Sequence, residues 1–179
     1  VLKDSGVFGE RGVIPSGNPD DERGNAWRIR EVQNGRENEA ADLADLERSI
    51  FSDAWTKKGI EETLCQDNTM ALGLWEGDFL IGYVILYYVL DEGEIARIAV
   101  EPSRRRQGAA GKLFGKLIEI CGGKGIGRLM LEVRRSNEAA ISFYRKCGFT
   151  EDGTRKDYYA DPCEDAILMS KILHPEELT

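Results

Sequence analysis

IAVEPSRRRQGAAGKL, residues 98–113, sets a β-branched strand against an Arg- and Gly-rich turn that opens directly into an amphipathic helix. A junction of this kind is built to hold phosphate. The first helical N–H groups have no carbonyl partner, and the aligned peptide dipoles place partial positive charge at that end. Gly108 lets an anion approach the backbone without a Cβ in the way, and Arg104, Arg105 and Arg106 add full charges beside it. The turn matches neither of the two commonest nucleotide loops. Lys112 is followed by Leu113 rather than Ser or Thr, and G-x-G-x-x-G is absent. The ligand this predicts is a diphosphate held mainly by backbone amides. A tight strand-to-helix turn with a solvated Arg run is the plainer account of the same residues.

The whole chain sets limits on what that turn can serve. With 179 residues, 41% of them hydrophobic, it is long enough for one domain with a real core. A formal net charge of -8 argues against nucleic acid as a direct partner and suits a basic or amine-bearing one. No apolar run is long enough to span a bilayer and no signal peptide is visible, so the expected location is the cytoplasm. Cys65, Cys121, Cys147 and Cys163 are widely spaced and read as reduced thiols. His174 is the only histidine, which leaves no basis for Ser-His or Cys-His catalysis or a His-rich metal site; no metal is expected.

Residues 1–26 are rich in Gly, Asp and Pro and read as a flexible leader; residues 27–179 read as a single domain. WRIREV from Trp27 alternates as a strand, and Ala40, Leu43, Leu46, Ile50 and Phe51 recur at helical spacing. A short helix is predicted over 56–65. TMALGLWE and FLIGYVILYYVL form a hairpin about Glu76-Gly77-Asp78, and EIARIAV follows the turn Asp91-Glu92-Gly93. The helix after the phosphate turn is predicted to stop at Gly122 and Gly123. RLMLEVR is a strand, Asn137 opens a helix to about Cys147, and FTEDGTRKDYYA and DAILMSKIL close the chain as strands. The order β-α-α-β-β-β-α-β-α-β-β predicts an α/β fold of mixed α+β character. Its sheet has about seven strands, mostly antiparallel, with helices on both faces.

LEVRRSNEAAISFYRKCGF, residues 131–149, holds a second constellation. Leu129, Leu131 and Val133 share one face of their strand, so Glu132 points to the other, where a carboxylate can take up protons or simply be solvated. Asn137 stands where a helix cap belongs. Tyr144 follows Ile141 on one helical stripe, as a core aromatic would. The segments R-x-x-G-x-A from Arg105 to Ala110, LEVRRSN, and A-x-x-x-Y-x-x-x-GF ending at Phe149 resemble the GCN5-related N-acetyltransferases. Together with RKDYYADPCEDAILM they resemble, within that family, the ribosomal-protein alanine N-acetyltransferases. The likeness runs from Trp27 to Leu173.

The resemblance implies acetyl-CoA as donor, with its pyrophosphate on the backbone of Arg106, Gln107, Gly108, Ala109, Ala110 and Gly111, next to Arg105. It implies a pantetheine arm along the strand Ile98, Ala99 and Val100, whose neighbouring strand splays away, and a cofactor contact from Asn137. Glu132 would be the general base for the acceptor ammonium, and Tyr144 the acid for the departing thiolate. Trp55, Tyr158 and Tyr159 would border the acceptor groove, though each fits a core role too, and Glu164 would attract a basic peptide N-terminus. Ala110 stands where a second glycine is common, and Ala54 where this branch commonly has proline. The implied acceptor is a protein N-terminus, that of an alanine-starting protein of the small ribosomal subunit. A small polyamine or amino sugar is the alternative acceptor, and a CoA-binding sensor without turnover the alternative class.

Overall fold

The computed structural model describes residues 27–173 apart from 34 and 37; the proposed leader and His174 lie outside the described residues. The strands are β1 (Trp27–Glu31), β2 (Thr69–Glu76), β3 (Phe79–Val89), β4 (Glu92–Val100), β5 (Arg128–Arg134), β6 (Thr150–Ala160) and β7 (Cys163–Ile172). The helices are α1 (Glu39–Ile50), α2 (Lys57–Leu64), α3 (Ala109–Lys124) and α4 (Glu138–Lys146), with a 3₁₀ turn at Pro102–Arg104. One seven-stranded sheet runs β1-β2-β3-β4-β5-β7-β6, and its only parallel neighbours among the described strands are β4 and β5. The predicted architecture and element order hold.

Each sheet face has its own core. On one, Leu113, Phe114, Leu117, Ile118 and Cys121 of α3 and Ile141 and Tyr144 of α4 meet Leu72, Leu74, Ile98, Leu131 and Val133. On the other, Leu43 and Leu46 of α1 and Ile60 of α2 meet Ala71, Trp75, Tyr83 and Ile85. Alternation along β2 and β3 divides their apolar residues between these cores, which is why helices are needed on both sides. The edge strand β6 is almost wholly exposed and carries charge at Glu151, Asp152, Arg155, Lys156 and Asp157, which discourages pairing with another chain.

Two boundaries differ from expectation. The helix after the phosphate turn passes through Gly122 and Gly123 and ends at Gly125 (φ 72°). The Gly125 and Ile126 N–H groups bond back to the Gly122 and Cys121 carbonyls, at 3.1 and 2.9 Å, while Ile126 and Cys121 are both buried. That paired closure with an apolar contact stops the helix, and the cost of two helical glycines is outweighed by the buried stripe before them. Strand β4 begins at Glu92, so the turn before it is tighter than Asp91-Glu92-Gly93 and places Leu90 in the left-handed region (φ 56°).

Candidate active site

The centre of the sheet is incomplete. Strands β4 and β5 pair only at Glu92–Arg128, Gly93–Leu129 and Glu94–Met130; beyond Glu94 no ladder joins them. An irregularity in β4 coincides with this break. Ile85 pairs with Arg97 and Leu86 with Ile95, so Ala96 is an extra residue in the strand. Such a bulge bends its strand and increases the local twist, and it falls where the ladder with β5 ends. It also puts two successive residues on one face. Ile95, Ile98 and Val100 belong to the α3/α4 core, Ala96 and Ala99 to the α1/α2 core, and Arg97 reaches α1.

The open edge has a definite polarity. Glu101 donates its N–H to Ile81 of β3 at 2.8 Å, and Ala99 pairs with Tyr83 in the same register. By alternation Ile98 and Val100 turn their backbone groups into the slot. The Ala99 backbone is spent on β3, so of the three strand residues implied for a pantetheine arm it is the one turned away. The Val100 carbonyl is met by Arg105 Nε at 2.9 Å.

At the slot's end lies the turn into α3. Gly108 caps the helix at φ 89°, and Lys112 N–H makes the first intrahelical bond, to the Gly108 carbonyl at 3.0 Å. The amides of Ala109, Ala110 and Gly111 therefore precede the ladder and are available to an anion. A Cβ on Gly108 would meet nothing within 4 Å, so glycine is required there by its backbone conformation rather than by crowding. Ala110 and Gly111 are already helical, which is why alanine is tolerated at 110. The arginines differ from the expected trio of free charges. Arg104 is paired with Glu76, Arg105 is half-buried on the strand end with its pKa pushed down by burial, and Arg106 is exposed. Gln107 bonds the Ser103 carbonyl at 2.9 Å and ties the turn together.

The two proposed proton carriers sit on opposite sides of the sheet. Glu132 lies on the α1/α2 face, its carboxylate paired with Arg155 of β6 and hydrogen-bonded to the Tyr158 hydroxyl. Glu94, on the same face of β4, has its pKa raised by burial and then by the Glu132 charge. Tyr158 is half-buried, and burial, followed by its bond to Glu132, pushes its pKa up to about 12. Tyr144 is fully buried in the α3/α4 core, its ring 5.5 Å from Phe143 and 5.4 Å from Phe149. Asn137 caps α4, its Oδ1 accepting the Ala140 N–H at 3.1 Å.

On the acceptor side the predicted residues separate. Trp55, half-buried, edges a shallow cleft of about 290 Å³ shared with Thr56, Gly59, Thr63 and Tyr87. Tyr159 is fully buried, with the Arg134 guanidinium 4.1 Å from its ring, so it supports the β6–β7 turn from beneath and does not line a groove. Glu164 is half-buried and already engaged. Its carboxylate accepts the Ser136 N–H and pairs with Arg134, and although burial acts to raise its pKa these contacts hold it below the ordinary carboxylate value. A charge so committed has little left to attract a distant peptide. Arg134 itself, which sequence reasoning passed over, bonds the carbonyls of Asp161 and Pro162 at 3.0 and 3.2 Å and locks this turn. Arg155 and the cluster of Glu47, Asp53 and Arg97 were missed as well. For Arg97 the signal was a charge flanked by apolar residues on both sides in IARIAV; for Arg155, on an exposed strand, there was none. Among the described residues no group of His, Cys, Asp and Glu is placed to hold a metal ion, and no helix is long and apolar enough to cross a membrane.

Residues 40–149 match the model of the acetyltransferase (GNAT) family. A protein of Bacillus subtilis (strain 168), assigned as a ribosomal protein bS18-alanine N-acetyltransferase, is 36% identical over 77% of this chain and 92% of its own length. The ribosomal protein bS18-alanine N-acetyltransferase of Escherichia coli (strain K12) is 42% identical over 51% of this chain and 63% of its own. A crystal structure of the ribosomal-protein-S18-alanine N-acetyltransferase from Escherichia coli superposes with a TM-score of 0.75 at 30% identity, covering 82% of this chain and 94% of that one.

Proposed function

The chain belongs to the acetyltransferase (GNAT) family and is an acetyl-CoA-dependent N-acetyltransferase; from that premise we propose that its acceptor is the α-amine of a protein beginning with alanine, a small-subunit ribosomal protein. The observation that carries this reading is the slot between β4 and β5, with Glu132 on one face and Tyr144 on the other. A slot through the sheet lets donor and acceptor arrive from opposite sides and meet at the thioester carbonyl. The residues fit the donor: the free amides of Ala109, Ala110 and Gly111 suit a pyrophosphate, and the open backbone of Ile98 with the Val100 N–H suits the amide groups of a pantetheine arm. When bound, that donor supplies a thioester carbonyl. Backbone N–H groups at the strand edge can stabilise the charge that develops on its oxygen.

The acceptor must be neutral before it attacks. At pH 7 that costs about 1 kcal/mol for an α-amine of pKa near 7.8, against roughly 4 to 5 kcal/mol for a lysine near 10.4. Glu132 takes the proton, with Arg155 and the Tyr158 hydroxyl holding its carboxylate in place; the neighbouring Glu94 adds negative charge that favours a cationic N-terminus. Tyr144 returns a proton to the thiolate on the far side. The relatives assigned as bS18-alanine N-acetyltransferases favour a ribosomal acceptor over other protein N-termini.

The test is release of free CoA thiol from acetyl-CoA with a panel of peptides varied over their first three residues. Alanine-starting peptides should be turned over best. Turnover confined to polyamines or amino sugars would replace the acceptor, and CoA binding with no thiol release for any amine would make the protein a sensor. Glu132→Gln should lower turnover by about 10²- to 10⁴-fold while leaving CoA affinity nearly unchanged. Equal loss of both would assign Glu132 a structural role.

A further inference from the structure

Beneath the acceptor side lies a buried charge cluster that the chemistry above does not use. Arg97, with no exposed surface, projects from the bulged strand that borders the donor slot. Its Nε is 3.5 Å from Glu47 Oε1, and its Nη2 lies 3.5 Å from Asp53 Oδ1 and donates to the Asp53 carbonyl at 3.2 Å. The guanidinium sits 4.2 Å over the Phe51 ring and 5.4 Å from that of Trp55. Glu47, 1% exposed, accepts the Trp55 N–H at 2.9 Å and the Tyr83 hydroxyl. Residues 51, 53 and 55, the irregular segment between α1 and α2, are thus all tied to one guanidinium and its carboxylate partner.

We propose that Arg97, acting through Glu47 and Asp53, is the positioning residue that sets acceptor affinity by holding the Trp55 segment against the sheet. The inference rests on the reading of Trp55 as a border of the acceptor groove. A buried ion pair is a poor source of stability, since apolar side chains of the same volume do as well or better, so its use here is better explained by geometry. The segment lies outside both helices: the last bond of α1 is from the Phe51 N–H to the Glu47 carbonyl, and the first of α2 is to the Thr56 carbonyl. With Arg97 removed, Glu47 and Asp53 are two acids close together with no cation between them, and the Trp55 segment moves off. The β4 backbone stays, because Ala99 and Glu101 remain bonded to β3. Acceptor binding should therefore fail while donor binding persists.

Steady-state kinetics and amide hydrogen exchange on the full chain test this. Arg97→Met should raise the acceptor KM about tenfold or more with the acetyl-CoA KM within about twofold, and Arg97→Lys should recover part of the loss. The Trp55 amide should exchange at least about tenfold faster in Arg97→Met than in the wild type. Asp53→Asn, at a side chain one quarter exposed (25%), carries the test if Arg97→Met fails to fold, with a smaller rise in both readouts. Should the wild type prefer another amine to peptides, the comparison runs on that amine, and Trp55 exchange does not depend on the acceptor at all. A folded variant with unchanged acceptor KM and unchanged Trp55 exchange overturns the proposal. So does a parallel rise in both KM values, which would mean general loosening of the site.

Discussion

Glu47 shows how one buried side chain links stability to pH. Burial pushes its pKa from 4.5 up to about 6, with the Arg97 charge and the Trp55 N–H acting against the rise. Between those values the folded protein holds the proton more tightly than the unfolded chain does. Its contribution to stability is therefore fully present below about pH 4.5 and is lost as the pH climbs through about 6. Glu47→Gln has no proton to lose, so it should gain on the wild type by up to about 2 kcal/mol between pH 4.5 and 7. Urea unfolding at the two pH values measures this, and a difference that does not change with pH would place the Glu47 pKa at its ordinary value. Other residues answered the sequence reading directly. Asn137 caps its helix as its position required, and Gly108 occupies the positive-φ turn, because both roles depend on local backbone alone. Tyr159 is buried and the Glu164 carboxylate engaged because Arg134, distant from both in sequence, occupies the space beneath that turn, a contact no local pattern announces.

Among the elements, β4 determines the site. A regular strand there would continue its ladder with β5 past Glu94 and close the slot. Deleting Ala96 removes the extra residue while leaving Arg97 and Ile98 on their present faces. The deletion should leave the circular dichroism spectrum native and weaken CoA binding by about tenfold or more, since the unpaired edge at Ile98 and Val100 is lost. Calorimetric titration with CoA checks it; wild-type affinity would show that the separation of β4 and β5 has another cause. The element boundaries were readable from periodicity almost throughout. The bulge was not, because EIARIAV is apolar at nearly every position and gives no alternation in which an extra residue would stand out. The splay was expected from family likeness alone.

For the whole molecule, a core on each sheet face makes disulfides unnecessary, and all four cysteines are free. Burial pushes the Cys121 and Cys147 thiols up to about 12, while Cys65 and Cys163 are exposed. A thiol reagent at pH 8 should therefore modify two cysteines rapidly in the native protein and four in denaturant. Cys163 should react more slowly than Cys65, its pKa raised by the hydrogen bond to Asp157 and that residue's charge. Rapid loss of all four thiols under native conditions would contradict the packing of α3 and α4 against the sheet.

The order of elements, the two-faced sheet and the anion-binding turn follow from residues 27–173 read in line, because period, capping and turn chemistry act over a few residues. Which charges are free and which are consumed was decided only on folding. Arg104 meets Glu76, Arg155 meets Glu132, Arg134 meets Glu164 and Arg97 meets Glu47, each across tens of residues of chain. Ion pairing depends on distance in space, and that distance exists only once the strands have found their neighbours.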